Sequence, residues 1–123
     1  MRFIKTKDGF PFSGAVTYQG KVLETVLTAI PEGKSDPVIG GAAAEMREIF
    51  RQLDEILVEA GLDKTNICSV RLYLQHVNQD IGEVNEVYKA YFGSHPPNRR
   101  AYGVDLQLNM RVEAAFVAEF PGG

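Results

Sequence analysis

The chain is poor in the residues that most often announce chemistry: its 123 residues hold one cysteine, two histidines and no tryptophan. A lone cysteine, Cys68, excludes an intrachain disulfide and a multi-cysteine zinc site, and it fits a reducing compartment, so a cytoplasmic protein is expected. His76 and His95 lie far apart and neither sits in a ligand cluster, so no metal and no other cofactor is expected. Basic surplus is missing too. Thirteen Lys and Arg against 16 Asp and Glu leave a net charge of −3, which argues against nucleic acid as a main partner, because phosphate neutralisation needs clustered cations. Long apolar runs are absent, and the segment Met1–Asp8 breaks up its apolar residues with charge, so neither a secretory h-region nor a membrane span is read. There is no Gly-x-Ser-x-Gly elbow, and Gly40-Gly41 lacks the spacing of either phosphate-binding glycine motif, which removes two further enzyme classes.

What is present reads as one domain over residues 1–123, without repeats or linkers. Thr17–Leu23 predicts a hairpin turning at Gln19-Gly20, its second strand running to about Ile30 before Pro31. Asp36-Pro37 is a good helix start. Ile39, Ala43, Met46, Phe50, Leu53, Leu57 and Ala60 then recur at steps of three and four until Gly61 stops the helix. Val70, Leu72 and Leu74 alternate with polar neighbours as in a strand with one buried face, and Cys68 shares their parity, so it is expected in the core. Asp80 caps a second helix with Val84, Val87, Tyr88 and Tyr91 on its apolar stripe. Two strands follow between Arg100 and Phe120. The order is ββαβαββ, an α+β layer with a sheet backed by two helices.

Two residues remain with chemical interest. Arg99 follows Pro96-Pro97, which restrict the backbone before it; a guanidinium is a planar fork matched to a carboxylate, suited to anchoring and unsuited to acting as a base. Glu113 stands on the last strand. From composition alone, Arg99 reads as a solvated strand-end charge at least as readily as an anchor.

The chain as a whole resembles a known family. Ser13-Gly14-Ala15-Val16 after Pro11-Phe12, Ala29-Ile30-Pro31, Glu59-Ala60-Gly61-Leu62, Val84-Asn85-Glu86-Val87-Tyr88 with Tyr91-Phe92-Gly93, Pro97-Asn98-Arg99 and Val112-Glu113-Ala114 fall in the order of the RidA/YjgF reactive intermediate deaminases, formerly called the endoribonuclease L-PSP family. The resemblance implies a chorismate-mutase-like fold, a homotrimer with pockets between subunits, and hydrolysis of enamine and imine acids to 2-keto acids and ammonia. Small imino and keto carboxylic acids would be its ligands. By position, Arg99 matches the arginine that grips the substrate carboxylate, Glu113 the glutamate that helps hold the attacking water, and Asn85 an asparagine near the pocket. The family's pocket tyrosine is Phe12 here, a serine falls at Leu27 and a cysteine at Ala101, so three polar lining groups have become apolar. That predicts either a preference for larger apolar imines or a weakened activity. Arg100 replaces a serine and is expected on the opposite strand face from Arg99, paired with a carboxylate or a neighbouring subunit. One residue fewer separates Arg99 from Glu113 than in the family. A non-catalytic protein that binds a small carboxylic metabolite is the alternative; ribonuclease and chorismate mutase rank behind it.

Overall fold

The computed structural model describes residues 1–5 and 10–122, so the charged end of the N-terminal segment, Thr6, Lys7 and Asp8, lies outside the described residues. Strands β1 (Arg2–Ile4), β2 (Ala15–Tyr18) and β3 (Val22–Thr28) precede helix α1 (Gly41–Ala60). A short 3-10 turn, Lys64–Asn66, leads into β4 (Ile67–Leu74), α2 (Val77–Phe92), β5 (Asn98–Gly103) and β6 (Val112–Glu119). The strands form one sheet in the order β1-β2-β3-β6-β4-β5. Only β4 and β5 run parallel, as the crossover through α2 requires. The α+β class and the two backing helices are as the sequence pattern predicts, with β1 added. Three residues, of which only Ile4 is buried, carry no periodic signal.

The hairpin turns where expected, with Gln19 (φ 56°) and Gly20 (φ 66°) both left-handed, the backbone form that matches strand twist. Both helices start elsewhere than expected. Helix α1 does not begin at Asp36-Pro37, because the Val38 amide donates to the Ala29 carbonyl at 3.0 Å and ties that stretch to the end of β3. The chain turns into the helix at Gly40 and Gly41, with φ of 126° and 83°, a region costly for any residue with a Cβ. Ile39 therefore leaves the predicted stripe and is 97% exposed. Helix α2 starts three residues before Asp80: the His76 carbonyl already accepts the amides of Gln79 and Asp80. Asp80 is not a cap but a buried acid, for the reason given below.

Cys68 is a third correction. It is exposed rather than in the core, because the pairing of β4 with β6 slips between Ile67 and Ser69, and a bulge reverses the parity of the strand before it. From Val70 onward the predicted alternation holds.

The core lies between one face of the sheet and the helices. Leu23, Val70, Leu72, Val112, Ala114 and Phe116 meet Met46, Ile49, Leu53, Leu57 and Val84 there. Among the described residues no layer covers the opposite face in a single chain: Val26 is 59% exposed, and Tyr18 and Tyr102 are each 42% exposed. Among the described residues no helix is long and apolar enough to cross a membrane.

Candidate functional site

Glu113 sits on β6 between Val112 and Ala114, which are both turned into the core, so strand alternation turns its carboxylate to the open face. Its register partners are Thr28 on β3 and Tyr73 on β4. The side chain is half-buried, and burial pushes the carboxyl above its ordinary value. It forms part of the wall of an open cavity of about 1000 Å³, together with Phe12, Leu27 and Gln52. Phe12 is 59% exposed there, whereas Leu27 is 6% exposed and belongs mainly to the core. Gln52, which the sequence did not single out, donates from α1 to the Thr28 carbonyl at 3.0 Å and fixes the end of β3 beside Glu113. A glutamine in the middle of a helix gives no signal of that role.

A polar cluster built on two buried acids fixes the backbone where β6 begins, directly before Glu113. Glu45 on α1 accepts from the Arg111 amide at 2.8 Å and the Val112 amide at 3.1 Å, holding the first turn into β6 directly before Glu113. Arg111 in turn grips Asp80 of α2 with both prongs of its fork, at 2.9 and 3.1 Å. Glu45 and Asp80 are 3% and 2% exposed. Burial drives the Glu45 carboxyl upward, and the two backbone amides partly oppose it. The cluster has a sequence signal only in hindsight: an acid at a core position of each helix and one arginine before the last strand.

Arg99 lies in a different environment. It pairs in register with buried Val70, so it projects toward α2, where Nη1 donates to Asn85 Oδ1 at 2.6 Å. Its guanidinium carbon lies 4.8 Å from the centre of the Tyr88 ring, a separation at which cation and ring attract. Ala101 shares this face and packs against the core. Tyr88 is 5% exposed and, among the described residues, its hydroxyl has no partner; burial pushes it up to about 12, with Arg99 opposing. Arg100 projects to the other face and lies 6.0 Å from the Tyr102 ring; it makes no ion pair among the described residues. A single chain thus groups Arg99 with Asn85 and Ala101 on the helix-facing side of the sheet and turns Glu113 to the opposite face, where Phe12 shares its cavity, while Leu27, in register with buried Ala114, turns into the core.

A family model described as Endoribonuclease L-PSP matches residues 10–120. The chain belongs to this family. It is the RidA/YjgF group that the motifs resemble. The human protein named 2-iminobutanoate/2-iminopropanoate deaminase is 35% identical over 109 residues, covering 88% of this chain and 79% of its own length. An Aquifex aeolicus (strain VF5) RutC family protein is 36% identical over 126 residues, covering 96% of this chain and 98% of its own. Among solved structures, the Rid protein family member YyfA from Yersinia pestis superposes with a TM-score of 0.83 at 25% identity, over 94% of this chain and 92% of its own. Imine deaminases are thus among the relatives of this endoribonuclease L-PSP family chain.

Proposed function

We propose that the protein hydrolyses 2-imino acids, formed by tautomerisation of amino-acid-derived enamines, to 2-keto acids and ammonia. Arg99 anchors the substrate carboxylate through its planar fork, and Asn85 and the Tyr88 ring hold that fork in place. Glu113 holds the attacking water. The water oxygen bonds to the carbon of the protonated imine, the C=N π pair moves to nitrogen, and the Glu113 carboxylate takes the proton released, leaving a neutral carbinolamine. Glu113 then gives that proton to the amine, and as the C–N bond breaks the freed carboxylate takes the hydroxyl proton, so that ammonia and the keto acid leave and the proton passes to solvent. No cofactor or covalent nucleophile enters, because the imine carbon is already electrophilic and the protein supplies position and charge.

The observation that carries this reading is the half-buried Glu113 in the cavity wall, with its carboxyl raised toward the range of a useful proton acceptor. The opposed faces of Arg99 and Glu113 favour a site made by two copies of the chain, within a homotrimer, where one copy contributes the fork and another the carboxylate. The test is keto-acid release above the spontaneous rate, with imines supplied by an amino-acid oxidase. Arg99→Ala and Glu113→Ala should each lose the acceleration. If the wild-type protein binds keto acids through Arg99 but accelerates no imine, the protein is a carboxylate-metabolite binder instead.

A further inference from the structure

The open sheet face carries three large exposed rings together: Phe3, Phe10 and Phe12 are 61%, 58% and 59% exposed. The Phe10 and Phe12 rings lie 5.6 Å apart, tilted by 51°. All three line the cavity that holds Glu113, along with Val26 and Ile30. Single exposed apolar residues are ordinary, but a group of them around a concave surface marks a binding site.

On the deaminase reading, we propose that this aromatic group is the side-chain subsite and that the protein prefers imines of bulky apolar amino acids, of leucine or phenylalanine type, to that of alanine. The reacting carbon bears a carboxylate, a nitrogen and the side chain. With the water held at Glu113, the side chain is the substituent left to occupy the cavity. A methyl group leaves the rings wet, whereas an isobutyl or benzyl group removes them from water. Charge narrows the class further. The ionisable side chains on the cavity wall include two carboxylates, Glu24 and Glu113, and Glu24 accepts from the Tyr18 hydroxyl at 3.2 Å. A substrate with an acidic side chain meets like charge there, while a protonated imine does not.

The test measures kcat/KM, after subtraction of spontaneous hydrolysis, for imines generated from alanine, leucine and phenylalanine, with wild type, Phe10→Ala and Phe12→Ala, and the oligomeric state of each by light scattering. The wild type should favour the leucine and phenylalanine imines by about tenfold or more, the discrimination that apolar contact supplies. Both variants should shrink that ratio severalfold while keeping the wild-type oligomeric state. Acceleration that is greatest for the alanine imine overturns the subsite and leaves the deaminase standing. No acceleration for any imine overturns the deaminase reading itself. An equal loss for all three imines together with a change in oligomeric state assigns the rings to contact with a second copy, and overturns the subsite.

Discussion

Replacing Glu45 by alanine strips the acceptor from two backbone donors, the amides of Arg111 and Val112, at a position where the acid is 3% exposed. A buried donor left without a partner costs about 1–3 kcal/mol, so two cost about 2–6 kcal/mol, toward the lower end here because Arg111 is only partly buried. For a domain of this size that lowers the melting temperature by roughly 6 °C or more. Glu45→Gln separates hydrogen bonding from charge, since its amide oxygen can still accept both amides. Because burial raises the folded-state pKa of Glu45 above the ordinary 4.5, the stability it contributes is fully present below that ordinary value and is lost as pH rises through the raised one. Glutamine cannot ionise and escapes this loss, so the stability of Glu45→Gln relative to wild type should improve from about pH 4 upward. Urea denaturation of the three proteins between pH 4 and 8 measures both effects. An alanine variant within about 0.5 kcal/mol of wild type, which is the range of ordinary surface substitutions, refutes the clamp; parallel pH profiles for wild type and glutamine refute the buried ionised acid.

Other outcomes follow from the same geometry. Burial raises Glu113 above 4.5, so kcat/KM should rise with pH through a midpoint above that value as the carboxylate forms, and Glu113→Gln should abolish both the limb and the acceleration; a midpoint at or below 4.5 contradicts the assigned burial. Leu53 is fully buried at the centre of α1, and Leu53→Ala should cost about 2–5 kcal/mol in denaturant titration. Tyr88→Phe keeps the ring under Arg99 and removes a buried hydroxyl that has no partner among the described residues, so stability should hold or rise by up to about 1 kcal/mol. Tyr88→Leu, which removes the ring, should raise KM for the carboxylate substrate more than it lowers kcat.

Much of the fold was legible because apolar period and turn residues act locally: the α1 stripe from Met46 to Leu57, the alternation of β4 from Val70 and of β6 from Val112, and the Gln19-Gly20 turn. The failures share a cause, since in each a distant partner overrode a sound local signal. Asp36-Pro37 is a good cap, but Val38 is bound to β3; Asp80 is a good cap, but Arg111 claims its carboxylate; Cys68 has core parity, but the bulge against β6 reverses it. In the site, Arg99, Asn85 and Glu113 were visible through family motifs. Their distribution over two faces was not, because it depends on the register of β5 against β4. Gln52, Glu45 and the cavity-lining rings of Phe3 and Phe10 carry roles that only the assembled sheet defines.

On the proposed mechanism, Arg99 and Glu113 act on one imine in a site shared by two copies. Mixing the Arg99→Ala and Glu113→Ala proteins after reversible dissociation, and assaying keto-acid release from the re-formed oligomers, tests it directly. Each variant alone should be inactive, and an equal mixture should recover roughly a quarter of wild-type activity, the fraction of sites that draw an intact fork from one copy and an intact carboxylate from its neighbour. A mixture as inactive as its components would contradict the shared site, and activity in either single variant would contradict the roles given to the two residues.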